Sequence, residues 1–187
     1  MRVISGSAGG LALSVPDRVA RPTMDKVRAA IFSSLGDAVP GARVLDLFAG
    51  SGALGIEALS RGAEGAVFVD ADRQAVGCIL KNLKKCRLEA ASVQTMDVFR
   101  FLDIYAHAGA FDLVFADPPY RKLPGDTDFV TPLLASEKLA ASLSPHGTFV
   151  LETLSTDKLP SLDGTPWQLL RSRTYGESGV HYLISRA

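Results

Sequence analysis

Arg43-Val44-Leu45-Asp46-Leu47-Phe48-Ala49-Gly50-Ser51-Gly52-Ala53-Leu54-Gly55 is the stretch that decides the fold. Its first six residues are an apolar run of strand length with one acid inside it, which reads as a strand buried in a sheet. The glycines that follow match G-x-G-x-x-G and open a short helix, expected from Ala53 to Arg61. Outward from this unit the alternation repeats. Ala66 to Asp70 reads as a strand, and Asp72 caps a helix that ends at Cys86. A weak strand over Ser92 to Thr95 precedes a helix over Val98 to Tyr105. Phe111 to Ala116 is the next strand, followed by one helix over Phe129 to Leu143 and a strand over Gly147 to Glu152. Trp167 to Arg173 and Val180 to Ile184, on either side of Tyr175-Gly176-Glu177-Ser178-Gly179, have the spacing of a terminal antiparallel hairpin. The expected fold is α/β, with a mostly parallel seven-stranded sheet and helices on both faces.

Upstream, Thr23 is placed to cap a helix from Met24 to Leu35. The first 20 residues do not fit the alternation. Val3-Ile4 and Leu11-Ala12-Leu13, joined through Gly6-Ser7-Ala8-Gly9-Gly10, read as a small hairpin extension over residues 1–20, ahead of a main domain over residues 21–187.

The bulk composition excludes several classes. Apolar content of 47% and charged content of 21% are those of an ordinary globular protein. No apolar run approaches the roughly 20 residues that cross a bilayer, and Met1-Arg2-Val3-Ile4-Ser5-Gly6 lacks the core of a signal peptide, so a cytoplasmic monomer is expected. Cys78 and Cys86 lie on one expected helix, about 12 Å apart along its axis, too far for a disulfide. No His, Cys and acid cluster suggests a metal, and His107, His146 and His181 are scattered. Net charge is zero, which argues against coating nucleic acid by charge alone. Basic residues do gather at Arg18, Arg21, Lys26 and Arg28, on the Lys81, Lys84, Lys85, Arg87 face, and at Arg121-Lys122.

In an open parallel sheet, ligands bind beyond the carboxyl ends of the strands. Acids stand there: Asp46, Asp70, Asp97, Asp117 and Glu152. The glycine motif alone suggests a dinucleotide with its pyrophosphate on a helix N-terminus. Asp46, just before the glycines, would repel a pyrophosphate and attract a cation, which suits S-adenosylmethionine. Asp46 either faces that ammonium or caps the loop's own amides. Asp70 is placed for ribose hydroxyls. Asp97 either accepts from an adenine amine, with the Val98 N–H on a ring nitrogen, or simply caps the next helix.

Asp117-Pro118-Pro119-Tyr120 puts an acid, two imide-locked residues and an aromatic ring where a buried strand opens into a loop. Each proline fixes its own φ and restricts its predecessor, so the turn is stiff. It is either a rigid turn or a grip for a planar group with an exocyclic amine.

Asp46 to Gly55 with Glu57-Ala58-Leu59-Ser60-Arg61-Gly62-Ala63, the Arg21-Pro22-Thr23 segment with Asp25, Val27-Arg28 and Phe32, and Phe111 through Tyr120 together resemble the bacterial 16S rRNA guanine-N2 methyltransferase family. The resemblance runs from residue 1 to about residue 152. It implies a Rossmann-like class I methyltransferase fold with a C-terminal antiparallel strand. It implies S-adenosylmethionine as methyl donor, held by Asp46, Phe48, Gly50, Gly52, Asp70, Asp97 and Val98. It implies transfer to N2 of a guanine in 16S rRNA during ribosome biogenesis, with Asp117, Pro118 and Tyr120 catalytic. Arg21, Thr23 and Arg121 would contact the 16S rRNA, met within a small-subunit ribosomal particle, and the hairpin would touch RNA too. Two departures stand out: Ser5 to Leu11 is neutral where the family is basic, and Arg28-Ala29 replaces an Arg-Glu pair.

In this reading Asp117 and the Pro118 carbonyl accept the two amine hydrogens, and Tyr120 stacks on a flipped or unpaired base. The rivals are an adenine-N6 DNA methyltransferase, which also uses Asp-Pro-Pro-Tyr, a nicotinamide-dependent oxidoreductase built on the glycine motif, and a non-catalytic ribosome-binding module.

Overall fold

In the computed structural model, residues 1–16, 23–121, 123 and 125–186 are described, with Thr23 and Met24 known by their backbone only. The expected alternation is present. Helix α1 (Thr23–Leu35) and a 3-10 turn (Gly36–Ala38) lead into β1 (Arg43–Leu47) and α2 (Ala53–Ser60). Then come β2 (Gly65–Asp70), α3 (Arg73–Cys86), β3 (Ala91–Thr95), α4 (Val98–Tyr105) and β4 (Phe111–Ala116). Helices α5 (Val130–Ala135) and α6 (Glu137–Ser142) precede β5 (Leu143–Leu154), β6 (Trp167–Tyr175) and β7 (Ser178–Ser185).

The seven strands lie in the order β3-β2-β1-β4-β5-β7-β6. Pairs β1–β2, β1–β4, β2–β3 and β4–β5 are parallel, while β7 runs antiparallel to both β5 and β6. The order reverses between β1 and β4, the switch point at which such sheets open a ligand crevice.

Side-chain alternation fills two cores, one on each face. Val44, Phe68, Leu113, Phe115 and Val150 join Ile31, Phe32, Ile56 and Ile79 on one face. Leu45, Leu47, Val69, Val114, Phe149 and Leu151 join Phe101, Leu102, Leu133 and Leu139 on the other. Burial on both faces is why these strands read as near-continuous apolar runs.

Two expectations are corrected. The single helix expected over Phe129 to Leu143 is two short helices. Ser136 breaks them with extended backbone (φ −78°, ψ 103°), and its hydroxyl caps α6 by accepting from the Leu139 N–H. A hydroxyl that satisfies a backbone donor outside the helix competes with helix continuation. The following strand starts at Leu143 rather than Gly147, because Leu143 pairs with Phe111 before the register shifts and Thr148 pairs with Leu113.

The N-terminal hairpin forms, with Arg2 bridged to Ala12, the Val3 N–H donating to the Leu11 carbonyl and the Gly10 N–H to the Val3 carbonyl. It lies directly on α2, whose sequence Ala-Leu-Gly-Ile-Glu-Ala-Leu-Ser is apolar around its whole circumference but for Glu57 and Ser60. Glu57 is fully buried and accepts from the Ile4 N–H (2.7 Å), the Ser5 N–H (3.1 Å) and Arg61 Nε (2.7 Å). Ser60 accepts from the Ala8 N–H and donates to the Ser5 carbonyl. A Cβ at Gly6 would come within 1.8 Å of the Ser60 carbonyl oxygen, so only glycine allows this contact. Further along, buried Asn82 of α3 brackets Ser14, accepting from its N–H and donating to its carbonyl, and donates also to the Ser51 carbonyl of the glycine loop.

Candidate active site

The strand-end acids meet in one cavity of about 630 Å³, within the size range of cofactor sites. Asp46, Phe48, Gly50, Asp70, Asp97 and Val98 line one half of it, and Asp117, Pro118 and Tyr120 line the other. Gly52 does not line it; with φ 76° it turns the chain into α2 and packs against Ile79. Arg121 is exposed and lines a neighbouring cavity of about 490 Å³ with Asp128 and Lys158. Arg21 lies outside the described residues, as does the Thr23 side chain; Lys122 is also outside them. Helix α1 begins at Thr23, one residue before the expected start.

On the glycine-loop half, every acid is bound to backbone. Asp46, buried on β1, accepts the Gly55 N–H at 2.8 Å. Burial, and less so the charge of Asp70, push its carboxyl up to about 8 against the opposing effect of that hydrogen bond. Asp70 accepts from the Gly50 N–H (2.8 Å) and the Asp72 N–H (2.9 Å). Asp97 caps α4 through the Arg100 N–H at 3.0 Å, and Asp72 caps α3 through the Gln74 N–H. The capping alternatives weighed for Asp46 and Asp97 are therefore realised, each through one oxygen. Phe48 holds φ 56°, a conformation that costs a non-glycine residue about 1–2 kcal/mol, and its ring meets Phe129 edge-on at 5.2 Å.

These bonds bear on the glycine motif. A pyrophosphate site needs free loop amides, yet the Gly50 and Gly55 N–H groups already donate to carboxylates. Seven acids line the cavity among the described residues, Asp46, Asp70, Asp72, Asp97, Asp117, Glu152 and Glu177, against Arg28. Arg28 is itself buried, donating to Asp25 at 3.0 Å and to the Arg2 carbonyl, with Nε 3.6 Å from Glu57. Such a chamber repels phosphate and suits a cation without phosphates, which fits S-adenosylmethionine and does not fit a dinucleotide. Among the described residues, no group of three or more His, Cys, Asp or Glu is placed to hold a metal.

The other half is organised by side chains. Tyr120 donates to Glu152 Oε1 at 2.9 Å. Burial, then the charges of Asp117 and Glu152, push the phenol above its ordinary value, so it stays a neutral donor. Sequence reasoning saw Glu152 as a strand-end acid but gave it no part in the site. What brings it in is the register of β4 and β5: Ala116 pairs with Leu151, so Glu152, still on β5, follows that pair as Asp117 follows β4. Phe129 and the Glu57 anchor were also missed. The scattered histidines stay apart from the site; buried His181 bridges Thr153 and Ser172, and burial lowers its pKa.

A parallel sheet that ends in an antiparallel seventh strand, with an acid-lined crevice at its switch point, defines a Rossmann-like methyltransferase. The structure of yhhF from Escherichia coli superposes with a TM-score of 0.80 at 32% identity, over 100% of this chain and 98% of that one. The model of the conserved hypothetical protein 95 family matches residues 1–184, and the chain belongs to that family. Its relatives include YlbH of Bacillus subtilis (strain 168), 41% identical over 187 residues and 96% of each chain. Ribosomal RNA small subunit methyltransferase D of Escherichia coli (strain K12) is 35% identical over 179 residues, covering 95% of this chain and 86% of that protein.

Proposed function

We propose that the protein transfers a methyl group from S-adenosylmethionine to the exocyclic N2 amine of a guanine in small-subunit rRNA. The observation that carries this reading is the single cavity in which acid-capped glycine-loop amides face Asp117-Pro118-Pro119-Tyr120. The relatives' names supply the rRNA.

Bound S-adenosylmethionine supplies an electrophilic methyl on a sulfonium. Asp46 would face its ammonium, Asp70 its ribose hydroxyls, and Asp97 with the Val98 N–H its adenine. Phe48 and Gly50 would wall the same chamber. A guanine N2 lone pair is delocalised into the ring, so the nitrogen is a weak nucleophile. Asp117 and the Pro118 carbonyl would accept its two hydrogens, drawing the nitrogen toward a tetrahedral shape, and Asp117 would take the proton lost as the N–C bond forms and the C–S bond breaks, with S-adenosylhomocysteine as the other product. Tyr120 stacks on the base, which must be flipped out or unpaired to reach it. Stiffness of the turn contributes by alignment. Arg121, exposed and lining the second cavity, would meet RNA backbone. With zero net charge, the protein would draw part of its affinity from a partly assembled particle rather than free RNA, and it would act in the cytoplasm.

Mass spectrometry of small-subunit rRNA from cells with and without the protein tests this. One N2-methylguanosine should be missing in the deletion; an unchanged guanine profile, or a missing N6-methyladenine in DNA, refutes the reading.

A further inference from the structure

Glu152 has no part in the chemistry assigned above, yet its position is unusual. Leu151 on β5 pairs with Ala116 at the end of β4, so Glu152 on β5 and Asp117, the first residue beyond β4, each come one step after a paired position. Alternation along β5 puts the Glu152 side chain on the face carrying Val150, and Glu152 lines the same cavity as Asp117. It is half-buried and lines both cavities, the cofactor chamber and the neighbouring one, which meet at Pro118, Pro119, Tyr120, Phe129 and Glu152. Its Oε1 is fixed by the Tyr120 hydroxyl, and among the described residues no Lys or Arg pairs with it. A half-buried carboxylate held by a neutral phenol, with a second acid beside it, is a poor structural element and a good acceptor for a ligand's N–H groups.

Resting on the guanine-N2 reading, we infer that Glu152 is the residue that recognises the base, accepting the guanine N1–H while the adjacent N2 amine is presented to Asp117. The Watson–Crick edge of guanine sets N1–H and N2–H donors side by side, and two carboxylates lining one cavity, Glu152 on β5 and Asp117 just past β4, match that pair. Adenine presents a lone pair at N1 beside its amine, and that lone pair would face the Glu152 carboxylate. The Asp-Pro-Pro-Tyr turn can grip either amine; Glu152 makes the site select guanine. Tyr120 then does two things, stacking on the base and holding the acid that recognises it.

The test changes the base at two positions, N1 and C6; the lost O6 is common to the wild type and the variant, so the change in preference between them reads N1. 2-Aminopurine keeps the 2-amine but carries a lone pair at N1 where guanine has N1–H. Small-subunit rRNA with 2-aminopurine at the guanine methylated by the wild-type protein, assembled into the particle, is compared with the guanine form by kcat/KM. The wild-type protein should prefer guanine by roughly 10²-fold or more, because a site built for a donor rejects the analogue that lacks it. In Glu152→Gln the amide can donate to the 2-aminopurine N1, so the preference should fall to within roughly tenfold. The ratio is taken within each protein, so a partial folding defect cancels. Wild-type rates within a few-fold of each other, or equal losses on both substrates in Glu152→Gln, would overturn the assignment. Failure of the wild-type protein to methylate any guanine would instead refute the underlying reading, and the inference with it.

Discussion

The two halves of the cavity are held in different ways. In the glycine-loop half, Asp46, Asp70, Asp72 and Asp97 each accept from backbone N–H groups, Asp46 and Asp70 from the glycine stretch after β1, Asp72 and Asp97 from the helices they cap. In the Asp117 half, the pairing is side chain to side chain, Tyr120 to Glu152, on a turn stiffened by prolines. The first half is therefore part of the fold and the second is mounted on it. Acids of the first half should cost stability and cofactor affinity together when removed, while acids of the second should cost rate alone.

Asp117→Ala should break that contrast most visibly if it is wrong. The rate should fall by about 10³- to 10⁴-fold, some 4–5.5 kcal/mol, with cofactor affinity by calorimetry nearly unchanged and stability within about 1 kcal/mol of wild type. A comparable loss of cofactor binding would erase the division. Glu57→Ala tests the arm that backs the glycine-loop half. It strips the acceptor from the Ile4 and Ser5 N–H groups and from Arg61, and takes one of two nearby carboxylates from buried Arg28, so urea unfolding should show a loss of about 3–5 kcal/mol. Asp70→Ala strips acceptors from Gly50 and Asp72 and should cost about 1–2 kcal/mol as well as cofactor affinity.

Asp46 gives the subtlest test. Its carboxyl titrates near 8 in the folded protein, above its unfolded value, so its contribution to stability is complete below about pH 4 and is lost as pH rises through about 8. A cation prefers the ionised form. S-Adenosylmethionine affinity should rise with pH up to about 8, by as much as tenfold per unit, with proton release on binding. Asp46→Asn should flatten both curves, and an unaltered pH slope in calorimetry would remove Asp46 from the ammonium site.

What was legible in the sequence was periodic or local. Strands buried on both faces show as apolar runs, and the acids at their ends fall at fixed distances from those runs. The Gly50–Gly55 motif was legible as a loop but misleading as a ligand code, because Asp46 and Asp70 take its amides through contacts set by the sheet. Ser136 was read as helix interior, since a hydroxyl cap is local chemistry that an apolar pattern hides. The Tyr120–Glu152 pair spans 32 residues of sequence and exists only through the β4–β5 register. Glu57 did carry a signal: an acid in a helix with no polar face must be satisfied inside.

The most direct test of the account is methyl transfer in vitro. Undermethylated small-subunit particles would be incubated with the protein and S-adenosylmethionine carrying a deuterated methyl, and the RNA digested for nucleoside mass spectrometry. Label is expected in N2-methylguanosine at one position. Label in an adenine, or no label beside a cofactor that binds well, would contradict it.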